Sequence, residues 1–121
     1  MVNKCKVELC TYCGVLPGTD RDHVIPVSYS SVKRHYNGHT VPACRECNNL
    51  LNDRFILDIN ARRAYILAKL EQRYKKLIKS PEWDDWELDE LSPNMRKQVK
   101  AHQEHKHLIM DRCAWIRATL K

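Results

Sequence analysis

The chain has 121 residues, six of them cysteines, and a formal net charge of +6 at neutral pH. That length allows one domain, or one small metal module with a helical extension, and excludes two independent large cores. No run of about 18 apolar residues occurs, so no membrane-spanning helix is expected. The opening Met1 to Leu9 lacks the apolar stretch of a secretion signal, which points to a reducing, cytoplasmic compartment in which cysteines are metal ligands or free thiols rather than disulfides.

The charge is unevenly spread. Residues 1–52 carry a net +2, residues 53–80 a net +5, residues 81–92 a net −6 and residues 93–121 a net +5. Two basic stretches flanking an acidic one suit a partner with a phosphate backbone, or are simply solvated helix faces.

Residues 1–9 alternate loosely and read as a short strand or an arm, with Cys5 a free thiol. Cys10 and Cys13 form one C-x2-C pair, and Cys44 and Cys47 form another, thirty residues further on. Two residues between ligands let both sulfurs of a knuckle face one ion, so the four make a closed tetrahedral zinc site. A segment of about fifty residues buries little on its own, which makes a metal staple physically reasonable. Residues 14–21 read as loop, with two glycines and a proline. Asp22 to Val27 reads as a short strand with Asp22 and His23 at its entry, kept to an edge or an end by Pro26. Residues 28–38 form a polar, basic turn in which Asn37-Gly38 is a hairpin signal. His39 to Pro42 is the return strand, and a helix starts at Cys44 and runs to Leu51.

Asn52-Asp53 and Asp58 to Asn60 offer helix caps. From about residue 60 to 79, Ile66, Leu70, Tyr74 and Leu77/Ile78 recur at helical steps, with Arg62, Lys69, Arg73, Lys75, Lys76 and Lys79 on the opposite face. That face lies against a DNA backbone or is solvated. Residues 81–92 are an acidic connector anchored by Trp83, Trp86 and Leu88. Ser92-Pro93 starts a second helix over 93–120. Its seam, Met95, Val99, His102, Lys106, Ile109, Cys113, Ile116 and Leu120, follows alternating steps of four and three and packs on the first long helix or on a second copy, as a homodimer. His102, His105 and His107 read as helix surface and seam.

Residues 10–52 resemble the HNH, or ββα-metal (His-Me finger), nucleases. Those carry C-x2-C, then D-H-x2-P, then N-L-V-P-A-C-x2-C followed by His or Asn. Here stand Cys10-x2-Cys13, Asp22-His23-x2-Pro26, and His39-Thr40-Val41-Pro42-Ala43-Cys44-x2-Cys47-Asn48. The terminal Asn is similar to the branch that includes phage recombination endonuclease VII. The resemblance implies that His23 is the general base, and that Asp22 and Asn48 hold the catalytic divalent ion. The middle motif position, normally Asn, falls on His39; the task of orienting the base goes to His39, or to Asn37 two residues away.

A carboxylate, an amide oxygen and waters suit Mg²⁺ or Mn²⁺ better than Zn²⁺. Phosphodiester hydrolysis needs a base for water and a Lewis acid for the phosphoryl oxygens. Lys33, Arg34 and Arg45 are candidate phosphate clamps. The expected whole is an α+β chain: a zinc-stapled ββα module over residues 1–52 and a helical hairpin over 53–121. It is expected to act as a DNA endonuclease, with small stand-alone nucleases of phages and mobile elements as the nearest kind. The alternatives are a non-catalytic zinc-containing DNA-binding or regulatory module, which would bind DNA with or without Mg²⁺, and a helical partner-binding adaptor.

Overall fold

The computed structural model describes residues 8–24, 40–52, 54 and 56–120. Cys5, the turn with Asn37-Gly38, and the sequence-proposed residues Lys33, Arg34 and His39 lie outside the described residues, as does the continuation of the first strand over residues 25–27.

The architecture is α+β. Strand β1 (Asp20–His23) pairs antiparallel with β2 (Thr40–Ala43), Asp20 opposite Ala43 and His23 opposite Thr40. The strand starts two residues earlier than the sequence suggests, so Asp22 and His23 are its last residues rather than its entry. Gly18 explains the early start. A Cβ there would overlap the Pro42 ring, so only glycine lets the chain run this close to β2. Its N–H bonds Glu8 O at 2.8 Å, while Leu9 bridges Pro17.

β2 passes through Cys44 into α1 (Arg45–Leu51). Cys44 caps this helix with extended backbone, its sulfur accepting from Cys47 N at 3.4 Å. After α1 the chain reaches α2 (Ile59–Arg73), where the Asp58 carboxylate accepts from Ala61 N at 2.8 Å, an N-cap of the kind its sequence announces. The single helix expected over 60–79 is broken at Tyr74 (φ −107°, ψ 23°), and α3 (Lys75–Ile78) follows. Tyr74 leaves helical geometry where its hydroxyl donates to Glu46 Oε2 at 2.5 Å.

The acidic connector contains a helical turn, α4 (Asp85–Asp89), helped by Glu87 accepting from Asp84 N at 2.8 Å. Leu88 anchors it as expected, but Trp86 does not: it is 63% exposed, because on so short a helix it points away from the face that buries Leu88.

Finally α5 (Pro93–Leu120) spans the molecule. Its second half buries Lys106, Ile109, Arg112, Cys113 and Ile116, and α2 covers that face. The seam's first half differs: Met95 and His102 are exposed. Lys106, polar yet buried, pairs with Glu82 at 2.7 Å and donates to Ser80 O, so its charge is met by the connector.

One buried cluster joins the cysteine end to the helices. Cys10, Tyr12, Cys13, Ala43, Cys47 and Leu51 pack with Ile66, Leu70, Ile109, Cys113 and Ile116. At its edge Gly14 adopts φ +67°, and the Trp115 indole occupies the space where a Cβ would stand. Among the described residues no helix is long and apolar enough to cross a membrane.

Candidate functional site

The four cysteines named by spacing are the ones the fold assembles. Cys10, Cys13, Cys44 and Cys47 are buried, and their sulfurs lie within 4.8 Å of one another. A tetrahedral zinc with bonds of about 2.3 Å separates its sulfurs by about 3.8 Å, so the cluster fits a structural zinc after slight contraction. Backbone amides already point at the sulfurs, as metal-bound thiolates require. Tyr12 N and Cys13 N donate to Cys10 Sγ at 3.4 and 3.5 Å, mirroring Cys47 N on Cys44. The nearby Cys113 is no ligand: burial pushes its thiol up, the Arg112 charge opposing this only in part, so it packs as a neutral group.

Arg112, from α5, reaches the same cluster. Its guanidinium is 1% exposed and donates through Nη2 to Cys47 Sγ at 3.5 Å and Cys44 Sγ at 3.7 Å. Through Nη1 it bonds Glu46 Oε1 at 2.6 Å, while its Nε is buried without a partner. Glu46 is shared, since Arg73 at 2.8 Å and Tyr74 also bond it. Burial alone would push the Glu46 carboxyl up, but Tyr74, Arg112 and Arg73 together hold it below the ordinary carboxylate value. Four thiolates around a divalent ion carry a net charge of −2. A buried cation against two of the sulfurs offsets that charge, as second-shell groups commonly do.

The second part of the site lies on β1. Asp20 and Asp22 are two residues apart and share one face of the strand, while His23 projects from the other. Asp22 is 4% exposed. Its Oδ2 accepts from the Tyr12 hydroxyl at 2.5 Å and from Arg62 Nη2. Arg62 also donates from Nε to Tyr12 Oη at 2.9 Å and from Nη1 to the carbonyls of Ile56 at 2.6 Å and Val24 at 3.2 Å. Arg62 is therefore no member of a face that is solvated or lies against DNA, the two readings the charge pattern suggested, since it is buried. It stands in line with Ile66 and Leu70 at steps of four, and is buried with them. Burial, with the Asp22 carboxylate beside it, pushes the Tyr12 phenol well above its usual range, so Tyr12 stays a neutral donor.

Asn48 follows the last cysteine and faces Asp20, donating from Nδ2 to Asp20 Oδ2 at 3.4 Å. Arg45 Nε bonds the same oxygen at 3.2 Å, which ties one proposed phosphate clamp to a carboxylate. The structure thus brings Asn48 to Asp20, and Asp22 to Tyr12 and Arg62. Among the described residues nothing bonds Asp22 Oδ1. That atom, Asp20 and the Asn48 amide oxygen are hard-oxygen donors of the kind Mg²⁺ or Mn²⁺ takes while keeping most of its waters.

Sequence reasoning missed Tyr12, Asp20, Glu46 and Arg112. For Arg112 a signal existed: it lies three residues after Ile109 and four before Ile116, on the apolar face. Comparisons with protein-family models, with curated proteins and with solved structures return no match for this chain.

Proposed function

We propose that this chain is a metal-dependent DNA endonuclease of the HNH kind, hydrolysing phosphodiester bonds. The observation that carries the reading is the order of the parts. β1 pairs antiparallel with β2, β2 passes through Cys44 directly into α1, His23 closes β1, and Asn48 follows directly on the second cysteine pair of a four-sulfur cluster. In this reading zinc holds the knuckles. His23, turned away from the buried Asp22 face, takes a proton from the attacking water, a task suited to imidazole near neutral pH. Asn48 and Asp22, the latter through Oδ1, would hold Mg²⁺ or Mn²⁺ with Asp20 beside them. When bound, such an ion supplies Lewis acidity at the phosphoryl and leaving oxygens. His39 or Asn37 orients the base, and Arg45, Lys33 and Arg34 contact phosphates. By the same resemblance the products carry 5′-phosphate and 3′-hydroxyl ends.

A second reading is favoured by one observation, the burial of Asp22 against Arg62 and Tyr12. A carboxylate so occupied suits a zinc-containing DNA-binding or regulatory module without catalysis. Plasmid nicking separates the two. Zinc-loaded wild type in Mg²⁺ or Mn²⁺ should convert supercoiled DNA to open circles, and His23→Ala should not. Retention of DNA by both proteins, with cutting by neither, selects the second reading.

A further inference from the structure

We propose that the groove between α1 and α2 holds the phosphodiester backbone of a nucleic-acid strand, with Arg54 and Lys69 as the phosphate ligands. The inference rests on the DNA reading above and adds the place of contact and its chemistry.

The groove has a volume of about 350 Å³. Its described lining includes three cations, Arg54, Lys69 and Arg73, and three carboxamides, but no carboxylate. Arg73 is already matched by Glu46 at 2.8 Å. Arg54 and Lys69 have no carboxylate partner among the described residues. Instead both are drawn to one ring, with Arg54 Cζ at 5.3 Å and Lys69 Nζ at 5.5 Å from the centroid of Tyr65. Elsewhere Arg21 pairs with Glu8, Arg45 with Asp20 and Arg117 with Glu71, while Arg63 and Arg96 give their N–H groups to carbonyl and amide oxygens; what sets the groove apart is two such cations side by side. Two cations in one concave place, with no acidic partner among the described residues, are the electrostatic mark of an anion site.

The chemistry narrows the anion. A cation–π contact leaves the N–H groups of a guanidinium or ammonium available, so both cations can stay beside the Tyr65 ring and still give charge-assisted hydrogen bonds to phosphate oxygens. The Tyr65 ring is already engaged by two cations, so the groove does not offer an open platform for stacking bases. The carboxamides suit phosphate and sugar oxygens. The expected contact is therefore with backbone and indifferent to sequence. The groove also adjoins the proposed nuclease site along the chain. Asn49 lines it from the same short helix that carries Asn48, and Asn52, the cap that ends that helix, lines it too, its N–H bonding Asn48 O at 3.0 Å.

The test measures DNA affinity of the full zinc-loaded chain by fluorescence anisotropy at salt concentrations from about 50 to about 200 mM. Single- and double-stranded oligonucleotides of several sequences serve as probes, with Arg54→Gln/Lys69→Gln compared with wild type and with Lys75→Gln/Lys76→Gln. The first pair should weaken binding roughly tenfold at low salt, equally for all sequences. It should also lower the log–log salt slope by about two, since each phosphate that a cation no longer neutralises removes about 0.9 from the slope. The α3 pair should change the slope less. Equal slopes for wild type and Arg54→Gln/Lys69→Gln, with wild type still binding or nicking DNA, overturn the inference while leaving the nuclease reading intact. If wild type binds no DNA, both fail for nucleic acid. Thermal-shift titration with inorganic phosphate and with a mononucleotide then decides whether the groove takes a small phosphate: a rise in Tm seen in wild type and lost in the double variant moves the site to that ligand, and no rise in wild type removes it.

Discussion

Two arginines lie in the interior, one beside each part of the site, and their surroundings differ in kind. Arg62 is surrounded by oxygen: a carboxylate, a phenol and two carbonyls take its Nε, Nη1 and Nη2. Its charge is balanced one to one by Asp22. Arg112 has one carboxylate, which Arg73 also uses, two sulfurs at longer range, and an Nε with no acceptor. The first arrangement is complete in the polypeptide alone. The second balances its charge only when the sulfurs are thiolates, the state a bound metal ion imposes. The Arg62 pair is thus held by side-chain chemistry alone, whereas the Arg112 contacts would be completed by a metal ion on the four sulfurs, which could hold one.

Breaking the Arg62 pair should have the largest effect. Asp22→Asn leaves a buried guanidinium without its counter-charge, and loss of one partner of such a pair costs about 3–5 kcal/mol. Urea unfolding of the zinc-loaded protein measures it; a loss below about 1 kcal/mol would show that water reaches this pair more freely than its burial implies.

A smaller, differently directed effect is expected at Arg112. Arg112→Met should weaken metal binding by about 10–100-fold in competition with a chelator. The Co²⁺-substituted protein should show shifted thiolate-to-metal absorption, and Arg112→Lys should restore part of both. Glu46 keeps Arg73 and Tyr74 in that variant, so the change reports on the sulfurs. Metal affinity within about twofold of wild type, far short of that range, would leave Arg112 a packing residue.

The smallest effect concerns acid. Glu46 has its folded pKa depressed, so the stability it adds is present above the ordinary carboxylate range and is lost as pH falls through the folded value. The gap in Tm between wild type and Glu46→Gln should be full at neutral pH and close on acidification. A gap independent of pH would mean that the carboxylate's charge is not what its three donors sense.

The contrast also explains what the sequence could disclose. Cysteine spacing is a local signal with one physical meaning, so Cys10, Cys13, Cys44 and Cys47 were legible and are found together. Helix caps at Asp58 and Ser92 were legible for the same reason, since each acts within one turn. The two arginines were only half legible: their place on the apolar stripe was a signal, but a charged residue there looks like a breach of the pattern until its partner is known. Those partners, Asp22 for Arg62 and Cys47 for Arg112, lie 40 and 65 residues away. The break at Tyr74, whose hydroxyl reaches Glu46 on another helix, was hidden likewise. Asp20 looked like loop because the close approach of Gly18 to Pro42, which extends the strand, involves residues far apart in sequence.

The turn at Gly14 has one further consequence. Its missing side chain is replaced by the Trp115 indole, which Arg63 covers at 5.4 Å while donating to Thr11 O. Two positions at opposite ends of the chain therefore compete for one volume. Alanine at 14 can be accepted only by a chain whose residue 115 is smaller, and a smaller residue at 115 leaves a hole that Gly14 cannot fill. Relatives of this chain should exchange the two together, so the pair is a co-substitution by which lineages that dock the long helix on the first knuckle can be told from those that do not.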